Sequence, residues 1–496
     1  MEKHFTELLN KYTYVNGEIF MPCVPALLEM YMRRFEQMFT SLGKPFNRAD
    51  LSKLRELLTE YLRQGFKASP HTYLIVKYHP SQSPDTGISY TVSYAVDTNV
   101  QPPHDNRDME IRVPAMLGLT AEQAKGAVLL GGKTATLQIT KIGAKTGLEN
   151  PLDTPNFLKK INLYTRIKGE VVMPCMPSFL HTYLTKLTQF FKSMGKAFNQ
   201  EDLSVLRKLL QENLHNGFKH SPLSKIVIIY ESAFYPNVGV TYRVAYSLTS
   251  IAEQYQNWVD TRQPPLFGKS ADAKVMKTFT ELGEPSTLRV LDIGAGTGRN
   301  ILPLAILGCK AEALELAPAL VQQLNLEAET KGLQVKAIAG DILDPQLHLE
   351  YDSYNLIVCA EVVASHFRNV EQIQLLLEKV SKALCQGGLF LFNLFIAHNE
   401  YEATPIAREF SEVVWSSMFT HCDLKSAFAD LPLEIISNES VFDYEHTHLP
   451  VESWPPTGWF ENWSQGKDLF RFTDSQMELR WILCKRRRSP KNHDSQ

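Results

Sequence analysis

No apolar stretch in this chain approaches the roughly 18–20 residues that a membrane-crossing helix needs; the longest runs are pieces such as Leu356–Ala360. The first residues, Met-Glu-Lys-His-Phe-Thr-Glu, are charged where a secretion signal would be apolar. Paired cysteines are also missing. Cys23, Cys175, Cys309, Cys359, Cys385, Cys422 and Cys484 form no CxxC spacing, so neither a disulfide framework nor a zinc site is expected. Charge of one sign is scarce: 51 basic against 54 acidic residues leave a formal −3, which excludes a chain-wide nucleic-acid surface. These absences predict a cytoplasmic protein with reduced thiols and no membrane, metal or nucleic-acid partner. What is present is a globular balance, 44% hydrophobic and 21% charged, over 496 residues. That length implies two to four domains.

An internal repeat organises the first half. Met21-Pro-Cys-Val-Pro25 returns as Met173-Pro-Cys-Met-Pro177, and the offset of 152 holds through Tyr94 and Tyr246, with 33 identities in 74 positions. Each copy reads as an α+β unit. Asn16-Gly17 predicts a hairpin turn between Tyr12–Val15 and Glu18–Met21, with Lys168-Gly169 in its place in copy two. A helix is predicted from about Pro25 to Leu42, with Gly43 just past its end. A second, capped by Asn47, carries Leu51, Leu54, Leu57, Leu58 and Leu62, and Gly65 should stop it. Strands follow near 73–78 and 88–96, and near 226–230 and 240–248. Each copy is expected to fold around its own core. Lys44, Arg55 and Lys67 recur as Lys196, Arg207 and Lys219. They are candidates to face an acidic partner, while the repeated Cys, Gly, Pro and Leu positions read as core and turns. No catalytic constellation recurs, so the copies read as binding modules. Residues 101–156 read as a connector.

From about residue 270 the pattern becomes strand–helix alternation, which predicts a doubly wound, mostly parallel α/β sheet. Strand 288–293 runs into Asp292-Ile-Gly294-Ala-Gly296-Thr-Gly298, and Arg299 stands where a dinucleotide fingerprint has its third glycine. Asp292 places a negative charge beside the loop, which suits a cationic cofactor better than a pyrophosphate. Glu315 ends the next strand, where a carboxylate can accept both hydroxyls of a ribose. Asp341, in Gly340-Asp341-Ile342, ends the third and can accept from an adenine amino group.

These segments, over about 258–485, resemble a class I S-adenosylmethionine-dependent methyltransferase of Rossmann-like fold. Val290–Gly298 is similar to that family's first motif, Glu315 to its acidic second-strand residue, and Gly340–Ile342 to its third motif. Leu356–His366 resembles its fourth-strand segment, and Leu384–Phe390 the turn before the fifth strand, with Cys-Gln where Lys-Pro is common. The resemblance implies S-adenosyl-L-methionine as cofactor, held by Asp292, Gly294, Gly296, Gly298, Glu315, Asp341 and Ile342. Segments 433–444 and 477–485 would close the sheet as an antiparallel pair. His366 becomes the candidate for orienting an acceptor or taking its proton, against a plain packing role. Asn393, His398, Trp415, Trp454, Trp459 and Trp463 are further acceptor-side candidates. No Asn-Pro-Pro-aromatic tetrad follows the fourth strand, which departs from base and glutamine methylation.

The expected domains are repeat units at 1–100 and 157–250, a methyltransferase domain at 251–488 and a disordered tail at 489–496. The expected function is methyl transfer with the repeats recognising a macromolecular, protein acceptor. The alternatives are a small-molecule methyltransferase whose repeats serve dimerisation or lid closure, and a cofactor-binding interaction protein without activity.

Overall fold

The computed structural model describes residues 2–69, 71–80, 88–96, 161–232, 239–471 and 473–487; the connector 101–156 and the tail 489–496 lie outside them. Two compact units emerge, one of residues 2–220 with 224–248, the other of 221–223 with 249 onward.

In the first unit the two copies do not keep separate cores. Their strands form one antiparallel sheet ordered β3-β2-β1-β4-β5-β6: Ile88–Val96, Thr72–Pro80, Tyr14–Pro22, Arg166–Pro174, Lys225–Ser232 and Val240–Ser247. The predicted hairpin at Asn16-Gly17 is therefore corrected, because β1 runs straight through it and pairs with β4, Gly17 lying opposite Gly169. A Cβ on Gly17 would lie 2.4 Å from the Lys168 carbonyl oxygen and 2.7 Å from the Tyr78 hydroxyl. The glycines let the paired tyrosines Tyr78 and Tyr230, whose hydroxyls hydrogen-bond, lie against the central strands. One sheet face is covered by helices Leu28–Ser41, Arg48–Ala68, Leu180–Ser193 and Gln200–His220.

Gly65 also differs from expectation. It stops nothing: the helix continues to Ala68, and a Cβ there would sit 2.5 Å from Cys23 Sγ. Gly217 stands equally close to Cys175. The repeated Cys and Gly are two halves of one close helix–strand contact. Burial raises both thiols to about 12, which makes them packing groups rather than nucleophiles.

The basic positions divide. Lys196 is buried, donating to the Asn162 carbonyl at 2.8 Å, and Lys44 is half-buried, its pKa lowered by burial. Arg55 is bidentate to Glu29, whereas Arg207 is exposed. Across the copies Arg34 donates to Asn162 and Lys186 to Asn10, reciprocal contacts at the same offset of 152. Copy one therefore meets copy two as the halves of an isologous dimer do.

The second unit is a sheet ordered β13-β14-β11-β10-β7-β8-β9, with β12 (Met418–Phe419) added beside β11. Strands β7 (Arg289–Ile293), β8 (Lys310–Glu315), β9 (Val335–Ala339), β10 (Tyr354–Cys359) and β11 (Leu384–Ala397) are parallel, and β14 (Met477–Arg486) lies antiparallel between β11 and β13 (Leu433–Ser440). This closing pair is the one the resemblance implies. Two boundaries move. β13 ends at Ser440, which caps a helix over Val441–His448, and β11 begins at Leu384. Lys485 and Arg486 belong to β14, with Arg486 paired to Asp352 at 2.7 Å. The chain runs β7-β8-β9 toward one edge and β10-β11 toward the other. The switch point falls between β7 and β10, where ligands bind in open α/β sheets.

Candidate functional site

The glycine loop leaves the end of β7 at that switch point. Gly294, Gly296 and Gly298 have φ of +73°, +56° and +94°, left-handed values that disfavour any side chain. A Cβ on Gly294 would also lie 2.0 Å from Val362 Cγ2. The loop is fastened from β8: Gly296 N–H donates to Glu315 Oε2 and Ala317 N–H to Oε1, both at 2.9 Å. Glu315 is buried and its pKa is raised by that burial, with the backbone donors acting against the rise. Each carboxylate oxygen retains a lone pair directed elsewhere. Asp341 is exposed just past β9, where its Oδ1 accepts from Leu343 N–H at 2.8 Å. Gly340 N–H donates to the Glu315 carbonyl at 2.9 Å, which joins the third motif to the second. Ile342 is brought to the same end, but its side chain lies in the hydrophobic core.

Asp292 is buried at the root of the loop. Burial raises it to about 8, with Arg299 pulling down and Asp272 and Glu315 pushing up. Arg299, in sequence only the residue that replaces a fingerprint glycine, is the centre of the site's polar network. Its guanidinium holds Asp272 through both carboxylate oxygens, at 2.5 and 3.1 Å, and Glu361 at 2.8 Å. Burial opposes the Arg299 charge, but Asp272 and Glu361 outweigh it and its pKa rises. Asn300 also bonds Asp272, and Asn393 accepts from the Glu361 N–H at 2.7 Å. Glu361 needs that fastening, since it stands two residues past β10, at the start of the helix Val362–His366, with φ of +65°, strained for a non-glycine. Glu445 caps the helix Ala273–Thr280 through the N–H groups of Ala273 and Lys274, and burial raises its pKa. Asp272, Glu361 and Glu445 were missed because each acts through tertiary partners far along the chain; Glu361 alone carried a signal, lying beside His366 in the fourth-strand segment.

His366 lies part-buried with its Nε2 2.8 Å from the Tyr255 hydroxyl and its Nδ1 lacking a partner. Burial lowers its pKa to about 4, so the ring is neutral near pH 7. Around it stand Tyr255 and Trp258, from the helix Ile251–Thr261, together with Trp415; Phe267 packs on Tyr255 and faces Gly296. Ring centroids of Trp258 and Trp415 are 5.2 Å apart, stacked. Trp463 donates to the Trp415 carbonyl at 2.8 Å and packs with Trp459. Trp454 lies farther out, in an aromatic group with Phe442, His446 and Phe460, and Phe460 joins it to Trp459 and Trp463. His398 is exposed beyond β11. Of the acceptor-side candidates, the structure gathers His366 and Trp415 directly and places Trp463, Trp459 and Asn393 behind them, with Trp454 reached only through Phe460 and His398 outside the group. A groove of about 950 Å³ lined by Leu424, Phe428, Ile435 and Arg487 opens beside the edge strand β13, toward the opposite end of the sheet from the glycine loop.

Residues 290–388 match the family described as "Methyltransferase domain". A ubiquinone biosynthesis O-methyltransferase of Rickettsia prowazekii (strain Madrid E) is 29% identical over 99 residues, covering 20% of this chain and 37% of that protein. Its counterpart in Rickettsia felis is 28% identical over 98 residues, 20% and 38% of the two chains. The matched segment thus spans well under half the length of these relatives. A solved geranyl diphosphate C-methyltransferase from Streptomyces coelicolor A3(2) aligns with 43% of this chain and 75% of its own at 14% identity and TM-score 0.35. The sheet order, the glycine loop and the acidic strand ends define a Rossmann-like nucleotide-cofactor domain. Within that class, residues 290–388 match a methyltransferase domain, in keeping with the class I resemblance of the motifs around them.

Proposed function

We propose that the protein is an S-adenosylmethionine-dependent methyltransferase acting on a small acceptor. The observation that carries the cofactor is the charge balance at the switch point. Asp272 and Glu361 together already outweigh the guanidinium of Arg299, and Glu315 adds a further carboxylate at the loop, so the site favours a cationic ligand over a pyrophosphate, while burial keeps Asp292 and Glu445 largely protonated near pH 7. The donor set fits: the glycine loop lets a ligand approach the backbone, Glu315 has lone pairs for ribose hydroxyls, and exposed Asp341 has room for an adenine amino group. Bound there, S-adenosylmethionine would supply an activated methyl group. The chain's own residues would position and enclose. Arg299 holds Asp272 and Glu361 in place. Tyr255, Trp258, Phe267 and Trp415 form an apolar wall that excludes water beside the loop, and neutral His366 offers a ring nitrogen to an acceptor proton.

The small-acceptor reading rests on that aromatic wall and on the printed activity of the curated relatives, O-methyl transfer in ubiquinone biosynthesis. A protein acceptor read by the repeats is the second reading. It relied on outward-facing repeated cations, and of these Lys196 is internal and Arg55 already paired, while Arg207 remains exposed in its favour. Labelled-methyl transfer into a lysate, fractionated into small molecules, protein and nucleic acid, separates the two. Label is expected in the small-molecule fraction; label confined to protein would put the second reading first.

A further inference from the structure

The proposed function leaves one large surface without a task, the face of the six-stranded sheet turned away from its helices. The inner face is alike in the two copies: Val15, Ile19, Met21, Val76 and Tyr78 are matched by Ile167, Val171, Met173, Ile228 and Tyr230, all buried. The outer face is not. At equivalent positions copy one has Tyr14, Phe20 and Lys77 where copy two has Arg166, Val172 and Ile229. Divergence confined to one face is what is expected when the two faces have different partners.

Strand register fixes how outer side chains line up. Lys77 lies opposite Glu18, Glu18 opposite Lys168, and Lys168 opposite Glu231, one rung of alternating sign across β2-β1-β4-β5. Glu18 stands 2.9 Å from both lysine ammonium groups, which hold its pKa down against partial burial. Neighbouring rungs carry Asn16 opposite Glu170 opposite Ile229, and Tyr14 opposite Val172 opposite Val227. Tyr14 and Ile229 are 43% and 41% exposed, large apolar groups left in water. The mixed signs argue against a nucleic acid or a uniformly acidic segment as occupant.

They do fit another copy of the same face. A half-turn about an axis parallel to the strands, between β1 and β4, exchanges β1 with β4 and β2 with β5 while keeping each rung level. A second chain so placed sets Lys77 against Glu231 and Glu18 against Lys168, each contact occurring twice. It also sets Asn16 against Glu170 and Tyr14 against Val172. The pairing is self-complementary, as an isologous interface must be. Six strands about 4.8 Å apart and about 30 Å long present roughly 700 Å² a side. That falls within the roughly 600–1,000 Å² a side of a standard interface.

We propose that the outer face of the β1–β6 sheet is the contact between two copies of the chain, related by a two-fold axis running along β1 and β4. The interface does not depend on the methyltransferase reading. Sedimentation of the full chain between about 1 and 50 μM should show a dimer. Two variants test the rung. Glu18→Lys with Glu231→Lys makes it all positive, and Lys77→Glu with Lys168→Glu makes it all negative. Each alone should sediment as a monomer with wild-type circular dichroism, and an equimolar mixture should return to the dimer. Should a reversed rung unfold the chain, Tyr14→Lys with Val172→Lys, both on a neighbouring rung, must give the monomer instead. A monomeric wild type, variants that stay dimeric, or folded variants that do not pair when mixed would overturn the proposal.

Discussion

Lys186 and Lys196 show how far a single buried charge can be displaced by its surroundings. Both are buried among apolar side chains with neutral oxygens as partners, and burial lowers each to about 8, Lys44 adding to the effect on Lys186 and Arg34 to that on Lys196. The folded pKa lies below the unfolded one, so between about pH 8 and 10.5 the unfolded chain binds more protons. Unfolding free energy should therefore rise with pH across that window, by at most about 3 kcal/mol per lysine. Denaturant titrations at pH 7.5 and 10 should show the rise in wild type and a smaller one in Lys186→Met and Lys196→Met. An unchanged rise in both variants would show that other groups carry it. At this scale the sequence told only part: recurrence of Lys44 and Lys196 was visible, but recurrence cannot distinguish a surface charge from one that bonds a helix-end carbonyl. Gly294, Gly296, Glu315 and Asp341 were legible because their chemistry depends on local spacing at strand ends. Arg299, Asp272 and Glu445 were not, since their partners lie far along the chain, up to 172 residues away for Glu445 and the Ala273 N–H.

Among elements, the contact between the Cys23 strand end and the helix Arg48–Ala68 is the clearest case of a residue type dictated by distance. Gly65→Ala would place a Cβ 2.5 Å from Cys23 Sγ and 2.9 Å from Thr72 Cγ2, in a helix where alanine is otherwise preferred. Overpacking of this kind should lower stability by about 1–3 kcal/mol. Cys23→Ala in the same chain should recover part of the loss, a coupling readable by a double-mutant cycle. Strict additivity would mean that the two residues do not restrict each other. The helices and most strands could be read from apolar periodicity and caps, as with Asn47, whose Oδ1 accepts from Asp50 N–H at 2.8 Å. The Asn16-Gly17 turn could not. An Asn-Gly pair has the same local preference in a hairpin and in a strand pressed against another glycine, and only the second copy decides between them.

For the whole molecule, two α+β copies at an offset of 152 share one six-stranded sheet, and a Rossmann-like unit with its own sheet follows them in the chain. The central claim is that this second unit binds S-adenosylmethionine at the β7–β10 switch point through the glycine loop and Glu315. Calorimetric titration of S-adenosylmethionine, and separately of NADH, into wild type, Gly296→Val and Glu315→Gln tests it most directly. A valine at φ of +56° and within 3.2–3.3 Å of the Phe267 ring must distort the loop, and glutamine removes the charge that fastens it. Wild type should bind S-adenosylmethionine in the micromolar range and NADH not at all, and each variant, still folded, should bind the cofactor at least about tenfold more weakly, some 1.4 kcal/mol. Equal affinity in the folded variants, or NADH binding tighter than S-adenosylmethionine, would contradict the assignment.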